Sequence, residues 1–250
     1  METSLFNYLL HLGDNALILG HRDSEWCGHG PVLEQDIALT NISLDLIGQA
    51  RLFYQYAAAL QGASFTEDTL AYSRDAGEFR NCLLAEQPNG DWAHTILRQF
   101  FFSSYQYDLY ASLQYSQDTQ LGAIAAKALK EVTYHVRWSG EWVVRLGDGT
   151  PESRDRMLAA VNDLWMFTGE LFKPAPFEKD LTASGISVPA EFLKAPWEER
   201  LQRVFEEAGL EIPRAPAFQS GGKTGVHSEH LGYILAELQF LQRAYPGVNW

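Results

Sequence analysis

The chain has 250 residues, 46% of them hydrophobic, enough to bury the core of one large domain. Its net charge of -13, with no run of clustered Lys and Arg along the sequence, excludes nucleic acid as a partner, because neutralising phosphates needs concentrated positive charge. It excludes a membrane span as well: the most apolar N-terminal stretch, Ser4 to Leu19, is interrupted by Asn7, His11, Asp14 and Asn15 well short of spanning length.

Cys27 and Cys82 lie far apart without metal-ligand spacing, and no secretory leader is recognisable, so a reducing cytoplasm is expected. Seven Trp, eleven Tyr and fourteen Phe supply large contact area that serves either the core or an interface.

Helical periodicity runs through the chain without strand-like alternation, which predicts an all-α protein. A first helix is expected over Ser4 to Gly20, then a loop carrying Trp26, Cys27, Gly28, Gly30 and Pro31, then a second helix over Leu33 to Leu60. The apolar positions of the second, among them Ile37, Ile42, Leu44, Leu46, Ile47, Leu52 and Phe53, cover most of its circumference and predict a central helix. Short helical pieces follow around Thr66 to Tyr72 and Asp75 to Glu86. The turn Pro88-Asn89-Gly90 opens a third long helix, Asp91 to Tyr115, with Asp91 in the first turn where the helix dipole favours negative charge.

In this third helix Phe100-Phe101-Phe102, followed by Tyr105, Tyr107 and Tyr110, spans an arc of about 200°. More than one face must be covered, by the bundle or by a partner. Asp118 is placed to cap a fourth long helix that continues to Leu146 and stops at Gly147. Thr150 caps the next, with Pro151 at its first position, and that helix ends before Pro174. Lys173 to Pro216 is a proline-rich outer segment around one helix, Glu191 to Ala208, and a last helix is expected over Thr224 to Ala244. Four long helices with a longer connection between the second and third predict a ferritin-like helix bundle with additional C-terminal helices, a single domain over residues 1–250.

Diiron proteins of that architecture take a lone carboxylate from one helix and a Glu-x-x-His pair from the next, twice over; the spacing of three puts both ligands on one inward face. The sequence has no Glu-x-x-His. Its one Asp-x-x-His, Asp91 to His94, opens a helix and reads as a cap. Glu131 and His135, four apart, offer a mononuclear site or an ordinary helical side-chain pair. His227-Ser228-Glu229-His230 has metal-like spacing at the start of the last helix. Gly221-Gly222-Lys223-Thr224-Gly225 lacks the full phosphate-loop pattern and a preceding strand, yet a lysine in a glycine loop before a helix is placed either to meet an anion or to stand in solvent.

The segments Leu12-Gly13-Asp14-Asn15, Glu25-Trp26-Cys27-Gly28-His29, Leu44-Asp45-Leu46-Ile47-Gly48-Gln49-Ala50-Arg51, Glu86-Gln87-Pro88-Asn89-Gly90 and Gly221 to Gly225, with the closing Pro246-Gly247 and Trp250, resemble the C-type family of phenylacetyl-CoA epoxidase subunits over essentially the whole chain. The resemblance implies a paralogue of the catalytic A-type subunit. Laid on this chain, the ligand positions of that subunit fall at Ala16, Leu46, Gln49, Ser103, Val132 and His135, of which only His135 keeps a ligand-type side chain. It therefore implies a non-catalytic, structural subunit with no cofactor of its own, the diiron centre residing in the A-type partner.

The further partners it implies are a B-type bridging subunit and a reductase subunit, in a complex that places one oxygen atom of dioxygen on the ring of phenylacetyl-CoA; a homodimer is the alternative for the isolated chain. Lys223 is then a contact for a coenzyme A phosphate or for an acidic patch of the partner. The competing expectations are a stand-alone metal-dependent oxygenase or hydrolase using Glu131 and His135, and a regulatory or storage protein on the same fold.

Overall fold

The computed structural model describes residues 2–62 and 64–248, and among them every regular element is helical. In chain order these are α1 (Glu2–Ser24), α2 (Leu33–Gln61), α3 (Glu67–Tyr72), α4 (Leu83–Glu86), α5 (Trp92–Leu113), α6 (Thr119–Gly147), α7 (Pro151–Leu164), α8 (Pro176–Thr182), α9 (Ala190–Glu207), α10 (Glu229–Leu238) and α11 (Phe240–Ala244). Trp250, the last residue of the resemblance, lies outside the described residues.

Four long helices, α1, α2, α5 and α6, form the bundle, and side-chain pairs fix their directions. Tyr54 bonds Asp14 and Ser43 bonds Gly20, so α1 and α2 run antiparallel. Gln49 meets Glu131 while Asp45 meets His135, so α2 and α6 do too. Ser103 lies by Ser139, and a Cβ on Gly122 would stand 3.0 Å from the Gln114 carbonyl, so α5 and α6 form the second hairpin. Hence α2 and α5 are parallel, and the chain between them must travel the length of the bundle. This one long crossover defines the ferritin-like topology.

The crossover is stapled along α1. Arg74 pairs with Asp14, the Arg80 and Cys82 amides donate to Asp14 (2.7 Å) and Asn15 (2.7 Å), and Arg22 donates to the Glu86 carbonyl at 2.9 Å. The segment Leu12-Gly13-Asp14-Asn15 thus receives the connection. Gly13 is needed there because a Cβ would stand 2.7 Å from the Tyr54 ring whose hydroxyl bonds Asp14. Gly13→Ala is expected to cost about 1–3 kcal/mol by overpacking, readable as a lowered urea midpoint with unchanged slope.

Several sequence expectations change in three dimensions. The helix expected over 224–244 is a 3-10 turn at Gly222–Thr224 followed by α10 and α11, and the proline-rich segment expected to hold one helix holds two, α8 and α9. Beyond α7 the chain continues as a 3-10 helix, Trp165–Phe172. Helix α2 is an edge rather than a central helix: Leu33, Ile37 and Leu44 are exposed on its outer side. Phe100, Phe101 and Phe102, by contrast, are all buried within the chain itself. The rings of Trp165, Trp197 and Phe205 surround Phe101, so of the two covers the sequence left open, bundle or partner, the chain's own elements supply the one at this face.

Candidate functional site

The middle of the bundle is lined by buried residues from all four helices. Ala16 comes from α1, Leu46 and Gln49 from α2, Ser103 from α5, and Val132 and His135 from α6, and all six are buried. In each pair the spacing of three turns both side chains to the same face. Ala16, Leu46 and Val132 belong to the continuous hydrophobic core. Ser103 donates to the Gln99 carbonyl of its own helix (2.7 Å). Gln49 donates to Glu131 Oε2 (3.0 Å) and is approached by the Tyr110 hydroxyl (3.5 Å). His135 donates through Nε2 to Asp45 Oδ2 (3.0 Å), and its Nδ1, together with both amide atoms of Gln99, has no hydrogen-bond partner among the described residues.

A diiron pair does not fit this donor set. Such a centre draws on four carboxylates and two imidazoles, whereas these six positions hold one imidazole, one amide, one hydroxyl and three hydrocarbon side chains. Glu131 and His135 are engaged separately, the first by Gln49 and the second by Asp45. No group of three or more His, Cys, Asp or Glu side chains suited to a metal ion occurs among the described residues.

The other singled-out residues serve structure. Asp91 caps α5, accepting from the His94 amide (3.1 Å) and ring (2.7 Å). His227 sits between Glu86 and the Phe79 carbonyl, apart from His230, whose ring packs by Tyr233.

Lys223 corrects an expectation. It is neither solvated nor presented to an external anion: its side chain is buried, with Nζ 3.0 Å from Glu178 Oε2. The glycine loop around it does bind an anion through backbone amides, but the anion is internal. Glu170 accepts from the amides of Gly221 (2.7 Å), Lys223 (3.3 Å) and Leu83 (2.8 Å). Gly222 is required because a Cβ there would fall 2.1 Å from the Asn81 carbonyl. Glu170 and Glu178 carry no motif in the sequence; only folding places them beneath the loop.

Fold and centre together define a ferritin-like bundle whose middle is filled by apolar and amide side chains. The chain belongs to the phenylacetic acid catabolic protein family, whose model matches residues 1–250. It is 51% identical over 243 residues to the C-type subunit of the 1,2-phenylacetyl-CoA epoxidase of Escherichia coli (strain K12), an alignment covering 97% of this chain and 98% of that one. No helix among the described residues is long and apolar enough to cross a membrane.

Proposed function

We propose that this chain is the structural, non-catalytic subunit of a phenylacetyl-CoA epoxidase, pairing with a diiron-bearing A-type paralogue that carries the oxygen chemistry. The observation that carries this reading is the filled metal layer, where Ala16, Leu46 and Val132 supply hydrocarbon and His135 is held by Asp45. The name of the Escherichia coli relative, a subunit of an epoxidase, supports an assembly as the working unit. The outer side of α2 supports it too, since Leu33, Ile37 and Leu44 leave large apolar side chains in water that association with the A-type subunit would bury. A B-type bridging subunit and a reductase complete the proposed assembly, which works in the cytoplasm.

Co-expression with an A-type subunit, size-exclusion chromatography and turnover of phenylacetyl-CoA test the proposal. The pair is expected to co-elute and to be active, with iron found in the A-type chain. Ile37→Asp with Leu44→Asp is expected to leave this chain folded and to separate the pair. An A-type subunit that is fully active alone, or two irons per copy of this chain, overturns the reading. His135→Gln is expected to leave turnover of the complex within about twofold, because its amide nitrogen can take the place of Nε2 and donate to Asp45, and no ligand is lost.

A further inference from the structure

The arginines dispersed along the sequence are partly gathered by the fold. A groove of about 590 Å³ between α6 and α9 is walled by Arg137 and Arg145 on one side and Arg200 and Arg203 on the other. Val136, Val144 and Val204 contribute apolar surface between them. In a chain of net charge -13, guanidinium groups are expected to find carboxylates. Arg200 does, pairing with Asp108 at 2.8 Å through both terminal nitrogens. Arg137, Arg145 and Arg203 have no ion pair or hydrogen-bond partner among the described residues, although Glu141 and Glu207 line the same groove. Arg137 and Arg145 instead lie over the rings of Tyr134 (5.7 Å) and Trp142 (5.4 Å). Stacking uses the face of a guanidinium and leaves its in-plane N–H donors available for a carboxylate.

The spacing of these charges indicates what they would hold. Arg137 and Arg145 are eight residues apart on α6, about 12 Å along its axis, too far to converge on a single phosphate or carboxylate. The separation matches acidic side chains two turns apart on a facing helix, about 11 Å. The groove's stretch of α6, Thr133 to Arg145, runs about 18 Å, or three turns. An apolar floor with cations along its walls is the complement of an amphipathic helix with an acidic margin.

We propose that the groove between α6 and α9 is a docking site for an acidic amphipathic helix of a partner protein. The inference rests on the charge and shape of this groove and not on the epoxidase role proposed above, so either can fail alone. It is tested on the full chain by fluorescence anisotropy with a synthetic amphipathic helix carrying Glu at positions i, i+4 and i+7 beside a Leu face. A control peptide has Gln in place of each Glu.

The acidic peptide is expected to bind, to weaken as salt rises, and to lose about tenfold or more in affinity on charge reversal by Arg137→Glu, Arg145→Glu and Arg203→Glu. Circular dichroism checks that the triple variant stays folded, and Arg137→Gln with Arg145→Gln provides a milder variant expected to weaken binding in the same direction. No binding of the acidic peptide, equal binding of the Gln peptide, or affinity unaffected by these arginine substitutions overturns the proposal. Displacement of the peptide by pyrophosphate with the same arginine dependence also overturns it, and makes the groove a small-anion site.

Discussion

Replacing Lys223 by Ala is expected to destabilise the chain by about 3–5 kcal/mol, the range for removing one partner of a buried ion pair. Lys223 and Glu178 have side-chain exposures of 4% and 6%, and the carboxylate left behind could not reach water without moving α8. Burial alone would raise the Glu178 pKa, but the Lys223 ammonium, with His11 and the Ala175 amide, outweighs it and holds the carboxyl below its ordinary value. A depressed carboxyl pKa contributes stability that is present above the unfolded value, about 4.3, and is lost as pH falls through the folded value.

In Lys223→Ala the carboxyl loses its main counter-charge, so its pKa rises. The deficit relative to the parent chain should therefore shrink as pH is lowered towards 4, when Glu178 takes up a proton. Urea denaturation across pH measures both effects, and Lys223→Met with Glu178→Leu should recover much of the loss by removing both charges. A cost within about 0.5 kcal/mol, as for a solvated surface residue, would contradict the buried pair.

The second large effect is expected at His227, with the opposite dependence on pH. Its Nδ1 lies 2.8 Å from Glu86 Oε2 and its Nε2 lies 3.0 Å from the Phe79 carbonyl. Both neighbours only accept, so both ring nitrogens must carry protons and the ring is an imidazolium. Burial opposes that charge, but the Glu86 carboxylate and the Phe79 carbonyl outweigh it and raise the pKa above 6.5. A raised pKa contributes stability that is fully present below the unfolded value and lost as pH rises through the folded one.

His227→Ala is expected to cost about 3 kcal/mol at pH 6, the lower end for a buried pair because Asn81 and Ser228 still donate to Glu86. The cost should diminish towards pH 9. His94 acts in the same direction, raised by Asp91 and Asp163 against its own burial, so the readout is the difference between parent and variant. A difference that grows with pH would be incompatible with the imidazolium. Because His227 joins the segment before α10 to α4, amide exchange in α10 should also quicken in the variant.

How far the sequence reaches is visible at individual residues. The long helices and their caps were legible because their signals are local: Asp91, Asp118 and Thr150 each accept from a backbone amide three residues on, at 3.1, 2.9 and 3.2 Å. The inward placement of Ala16, Leu46, Gln49, Ser103, Val132 and His135 was legible as well, because the facing of helical residues is a local property and the resemblance supplied the register. Charge and composition by themselves determined an acidic chain, and the periodicity of its apolar residues determined the helical class. Tertiary structure alone decided where the conspicuous side chains point.

Phe101 became interior because α9 and the 3-10 helix after α7 fold back over α5, and no local pattern encodes that return. Ile37 and Leu44 became exposed because α2 lies at an edge, although their periodicity is that of a covered helix. Lys223 turned inward because Glu178 lies 45 residues away in sequence and 3.0 Å away in space. The sign of a charge is written in the chain, but its solvation depends on residues that only folding brings beside it.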